Sequence, residues 1–114
     1  MNKFELVGID QDVYFEKLNN GLEVYILPFE NKNNYFVSYF TKFGSLILDF
    51  YSEENKKMIH VPEGIAHFLE HKMFEQEDGV DPFEFFAQSG TGCNASTSYK
   101  ATRYYFMGNE KIYE

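Results

Sequence analysis

Two histidines and a carboxylate, His67, Glu70 and His71, are the residues of this chain whose types and spacing can do chemistry. They lie in the run Gly64-Ile65-Ala66-His67-Phe68-Leu69-Glu70-His71. Successive residues of a helix turn by about 100°, so in a helix His67, Glu70, His71 and Phe74 fall on one arc. Ile65, Phe68, Leu69 and Met73 fall largely on the opposite arc. That division predicts an apolar face buried in a core and a polar face presenting the imidazoles and the carboxylate. Histidines at i and i+4 are neighbours on a helix surface, close enough to bind one small cation through ring nitrogens at about 2.0–2.1 Å. Zinc suits such a site. In the order H-x-x-E-H, the inverse of H-E-x-x-H, Glu70 stands beside the metal without having to ligate it. There it can accept a proton from water whose pKa zinc lowers to about 7. The same three residues also suit an ordinary hydrogen-bonded helix face, and spacing alone leaves both readings open.

The elements that must position these residues are legible on either side. Pro62 and Glu63 suit a helix's first turn, one through its fixed φ and the other through the dipole, and predict a helix from there to Phe74 or Glu75. Residues 75–79 are polar and end in Gly79, which closes it. Asp81-Pro82 then opens a second helix as N-cap and N1, with Phe83, Phe85, Phe86 and Ala87 as its apolar positions and Gly90 as its stop. Upstream, residues 13–18 and 22–27 read as strands joined by the turn Asn19-Asn20-Gly21, a β-hairpin ended by Pro28. Residues 35–41 are rich in the aromatic and β-branched types that suit a pleated surface. Residues 46–51 read as a further strand or a loop across the sheet edge, and 52–57 as a solvated charge run at a loop tip. Downstream, residues 93–99 and 102–107 read as an antiparallel pair around Lys100-Ala101. The expected fold class is α+β, helices packed on one face of a largely antiparallel sheet. Residues 109–114 look like the opening of another element.

With 114 residues, 44% of them hydrophobic and 19% aromatic, the chain fits one ordered domain and not a disordered segment. Its net charge of −8 makes it a poor match for a phosphate backbone, so no nucleic acid is expected. Acidity steers basic partners inward, but its plain consequence is solubility. The single cysteine, Cys93, leaves no intrachain disulfide and argues against a secreted disulfide scaffold. The first residues show no apolar run with a cleavage site, and no window approaches a membrane span. A soluble, cytoplasmic protein without membrane contact is the expectation.

Three blocks together resemble the pitrilysin/insulysin family of H-x-x-E-H zinc metallopeptidases, which includes insulinase and the mitochondrial processing peptidases. They are the hairpin Gly21-Leu22-Glu23-Val24-Tyr25, the helix Gly64 to Phe74, and the strand pair Gly92-Cys93-Asn94-Ala95-Ser96-Thr97 and Thr102-Arg103-Tyr104-Tyr105-Phe106. The resemblance implies that His67 and His71 ligate one zinc ion and that Glu70 activates the attacking water. It implies that Asn94 and Ala95 lie on a strand that holds a peptide substrate in extended form, which suits the addition of a peptide to a sheet edge. Read without the family, Asn94 is a turn-end residue capping its own backbone, and Cys93 a small buried residue. A second similar half, fused or separate, is also implied as partner. The family completes its zinc site with a Glu on a later helix, and neither Glu75, Glu77, Glu84, Glu110 nor Glu114 sits in a matching context. The chain is therefore expected to be the N-terminal part of a single zinc-peptidase domain, truncated at the C-terminus and inactive in isolation.

Two rival readings differ in chemistry. An S-ribosylhomocysteine lyase resembles this family in fold and carries its own H-x-x-E-H helix with a cysteine as third ligand, for which Cys93 is available. A non-catalytic peptidase half, acting as a binding or assembly module, is the other; the intact His67, Glu70 and His71 argue against it.

Overall fold

Two compact units, Met1–Lys32 and Asn33–Glu114, divide the chain at the polar break Asn31-Lys32-Asn33-Asn34. A computed structural model describes residues 2–8, 10–75, 79 and 81–109 of them. The expectations for Glu77, Glu110 and Glu114, and for a further element after Asn109, lie outside the described residues.

In the first unit β1 (Asn2–Glu5), β2 (Asp12–Lys17) and β3 (Glu23–Ile26) form an antiparallel sheet in the order β1-β2-β3. The β2–β3 hairpin is the one expected. Leu18 and Gly21 close it, with the Leu18 N–H donating to Leu22 O at 2.8 Å and the Gly21 N–H to Leu18 O at 2.9 Å. The Asn20 side chain accepts from the Leu22 N–H at 3.1 Å, the local bond for which Asn suits turns. Phe15 and Tyr25 face each other in register with ring centroids 4.9 Å apart. Val13 is only 2% exposed. Strand β1 was not legible: it is exposed throughout, and its four residues alternate too weakly to give a period-two signal.

The second unit holds β4 (Asn34–Thr41), β5 (Asp49–Ser52), β6 (Lys57–His60), α1 (Ile65–Lys72), α2 (Pro82–Gln88), β7 (Gly92–Thr97) and β8 (Thr102–Asn109). Strands β4, β8 and β7 make one antiparallel sheet with β8 in the centre, while β5 and β6 form a separate hairpin. Residues 53–56 are its turn, so the charge run is a loop tip whose last residue, Lys57, begins a strand. Asp49 and His60 pair across the base, Nδ1 to Oδ1 at 2.8 Å. Both helices pack on the β7–β8 face that carries Tyr104 and Phe106. Phe74 meets Tyr104 with centroids 6.1 Å apart, and Phe86 meets Phe106 at 5.8 Å. The fold class is α+β with antiparallel sheets, as expected.

Helix α1 departs from expectation in two ways. It begins at Ile65 behind Gly64, whose φ of 84° places the N-cap in the left-handed region; Pro62 and Glu63 stay outside, and the first turn carries no acid. Its buried side is also not the one expected, although His67 and His71 are exposed as expected. Ala66, Glu70 and Phe74, spaced by four, form the side that meets the sheet, with Ala66 2% exposed, whereas Phe68 is 57% and Met73 58% exposed. A small residue permits close approach to β7, and the one polar group on that side finds a partner there. Helix α2 follows its sequence signals: the Asp81 carboxylate accepts from the Phe83 N–H at 2.9 Å and Pro82 stands at N1. Among the described residues no helix is long and apolar enough to cross a membrane.

Candidate metal centre

His67 and His71, one turn apart on α1, aim the same ring nitrogen at the same place. Their Nε2 atoms are 2.9 Å apart, with both rings exposed and inclined by 36°. Ligand atoms of His67, Glu70 and His71 lie within 4.8 Å of one another, the one such group among the described residues. Two nitrogens on one tetrahedral ion at bonds of about 2.05 Å sit roughly 3.3 Å apart. The imidazole pair is close to that span without a change of rotamer, and two nitrogens with a nearby carboxylate are a donor set that suits zinc. The residues present therefore fit the ion.

Glu70 is half-buried at the helix–sheet contact. Its Oε2 accepts a hydrogen bond from Thr97 Oγ1 at 2.5 Å. Tyr104 is the other neighbour: burial, and then the negative charge of Glu70, push its phenol above its ordinary pKa. Neither residue was singled out from sequence. Thr97 is 27 positions from Glu70, and only the strand register brings it under the helix.

Asn94 and Ala95 lie on β7, which has β8 on one side and, among the described residues, no strand of its sheet on the other. The tight turn after β7 is closed by the Ser98 N–H donating to Ala101 O at 2.8 Å. In an antiparallel ladder bonded pairs alternate, so Ser96–Arg103 and Asn94–Tyr105 are bonded pairs, and Cys93, Ala95 and Thr97 turn their N–H and C=O groups to the free edge. The Ala95 N–H is met there by the Asn94 side chain, Oδ1 accepting at 2.8 Å. Asn94 thus caps its own strand backbone, the local role read for it without the family, though in mid-strand and not at a turn. Cys93 lies outside the His67–Glu70–His71 group, half-buried, its thiol pushed up by burial and then by the charge of Asp81.

The family model described as Insulinase (Peptidase family M16) matches residues 53–112. The uncharacterized zinc protease YmfH of Bacillus subtilis is 42% identical over 108 residues, a match covering 95% of this chain and 25% of the relative. An insulin-degrading enzyme homolog of Dictyostelium discoideum is 33% identical, covering 88% of this chain and 10% of its own length. The crystal structure of an M16-like peptidase from Alicyclobacillus acidocaldarius superposes with a TM-score of 0.78 at 35% identity, over 96% of this chain and 24% of that one. The chain spans about a quarter of the length of the first of these relatives. By the family-model match over more than half of its length, the chain belongs to the insulinase family of peptidases, family M16.

Proposed function

We propose that these residues are the N-terminal portion of a zinc-dependent metalloendopeptidase, with His67 and His71 as zinc ligands, Glu70 as general base and the Asn94–Ala95 edge as the seat of the substrate backbone. The observation that carries the reading is the convergence of the two Nε2 atoms, 2.9 Å apart, with the Glu70 carboxylate beside them. Zinc, when bound, supplies Lewis-acid polarisation of a carbonyl and a water acidic enough to deprotonate near neutral pH. The rest is the work of side chains and backbone. Thr97 anchors one oxygen of Glu70 and leaves the other to take a proton and return it to the leaving amine. Once the Asn94 side chain releases the Ala95 N–H, the outward N–H and C=O groups of β7 hold an extended peptide in register, so that its carbonyl is presented and not searched for. A third ligand and a second similar half come from polypeptide beyond these residues, consistent with the YmfH relative, of which the match covers 25%. Residues 1–114 alone then hold zinc weakly and cleave nothing.

Calorimetry with zinc on this chain and on the full-length protein tests the proposal. Tight binding in the longer protein only, abolished by His67→Ala and kept by Glu70→Gln while peptide hydrolysis is lost, is the expected result. Tight binding by residues 1–114 that disappears with Cys93→Ser overturns it in favour of a lyase-like site.

A further inference from the structure

Arg103 is the one arginine of a chain in which 18 Asp and Glu outnumber 10 Lys and Arg, yet among the described residues it takes part in no ion pair. It stands on the central strand β8, between Phe40 of β4 and Ser96 of β7. Side chains alternate along a strand, so Arg103 and Tyr105 point away from the face on which Tyr104 and Phe106 carry the helices. Phe36 joins Tyr105 on this second face, ring centroids 5.6 Å apart. None of the three strands of the sheet contains an acidic residue, so the sheet itself cannot neutralise its arginine.

The guanidinium lies over the Tyr105 ring, its Cζ 4.5 Å from the centroid. Stacking holds the planar group but uses none of its N–H donors. The Nε atom is buried without a hydrogen-bond partner, and so is the Oγ of Ser38, the residue opposite Tyr105 on β4. Beside them an open cleft of about 210 Å³ is lined by Phe40, Ser96, Ser98, Ala101 and Arg103. A braced guanidinium with unused donors at a cleft is a receptor for a planar anion, and a carboxylate matches its fork.

We propose that Arg103 is a specificity residue, which receives the carboxylate of a Glu or Asp side chain of the peptide substrate on the sheet face away from the metal centre. A peptide lying along β7 sends alternate side chains to this face, beside Asn94 and Ser96. Neighbouring strands lie about 4.8 Å apart, so such a peptide runs about 9.6 Å from β8, a gap that Arg103 and an acidic side chain bridge from opposite ends. Because the chain as a whole is acidic, the preference is set at contact and not by long-range steering. This inference rests on the peptidase reading above and adds a substrate class to it.

The experiment uses the zinc-loaded full-length protein and an uncharged peptide it cleaves at a single bond, with each flanking position carrying Gln or Glu in turn. Glu is expected to raise kcat/KM over Gln by about ten-fold, the effect of one hydrogen-bonded ion pair. The gain should fall at one position, or at two positions with one residue between them, because adjacent side chains point to opposite faces. Arg103→Met keeps an unbranched side chain against Tyr105 without the charge, and should abolish the preference. The same peptides bound to the Glu70→Gln protein, followed by fluorescence anisotropy, should show the preference in Kd without hydrolysis. Equal treatment of Glu and Gln at every position overturns the proposal, as does a preference that survives Arg103→Met. If that variant does not fold, the wild-type series and the anisotropy decide. A wild type without preference and a destabilised Arg103→Met protein would assign the arginine to a carboxylate of the protein's own polypeptide, and so also overturn the proposal. Absence of any hydrolysis by the wild-type protein refutes the peptidase reading and is distinct from hydrolysis that ignores the Glu.

Discussion

Thr97 donates its hydroxyl to Glu70 across 27 residues of chain, Oγ1 to Oε2 at 2.5 Å, and so ties the carboxylate of the metal helix to the edge strand. A hydrogen bond to a charged group contributes about 1.5–3 kcal/mol, which corresponds to roughly 10–100-fold in rate where the bond holds a base in place. Thr97→Val in the full-length protein should lower kcat by that range with KM little changed, and Thr97→Ser should restore most of it. Steady-state kinetics on one peptide checks this. A loss confined to KM contradicts a positioning role.

Gly44 is expected to be intolerant of any side chain. A Cβ would stand 2.5 Å from Ser98 O and Ala101 N, which are backbone atoms of a tight turn and cannot swing away. Overpacking of this kind costs about 1–3 kcal/mol, and Gly44→Ala should destabilise the protein by at least that much in urea unfolding.

Cys93 should resist alkylation. Burial first, and then the charge of Asp81, hold its thiol above the ordinary range, so less thiolate is present at a given pH. Iodoacetamide should react about ten-fold or more slowly with the folded than with the unfolded chain at pH 8. The linkage to stability follows in sign. A raised folded pKa means the folded state keeps its proton longer, so this contribution is fully present below the ordinary thiol value and is lost as pH climbs through the raised one. Cys93→Ser should remove that alkaline decline in a pH series of unfolding midpoints.

Asp81 caps α2, and removing the cap should cost about 1 kcal/mol. Asp81→Ala tests it by denaturation, with Asp81→Asn as the control that keeps an acceptor. The Asn variant should also bring the Cys93 thiol down toward its ordinary value, because the charge is gone while the cap remains.

Signals local to a few residues were readable in the sequence. The Asp81-Pro82 start, the Asn20-Gly21 turn and the β7–β8 pair each announce themselves through backbone preferences of the residues involved, and the structure places them within a residue or two. The His67–His71 spacing is of the same kind, since one helical turn suffices to bring the rings together. What depends on register was not readable. Thr97 reaches Glu70 only because β7 lies under α1, and the bonds from Ser45 and Leu46 to the turn after β7 join segments more than 50 residues apart. The buried side of α1 escaped for a related reason: hydrophobicity pointed to Phe68 and Met73, whereas Ala66 is buried and Glu70 meets the strand.

Ala66 is the one fully buried residue of α1, the helix that lies against β7. Ala66 sits a single turn ahead of Glu70 on the packed side, one residue before His67. A larger residue at this position would raise α1 off β7 as a rigid rod, carrying both imidazoles with it and stretching the Thr97 contact, though no residue of the metal centre would have been altered. The metal centre is thereby coupled to a residue that carries no ligand atom.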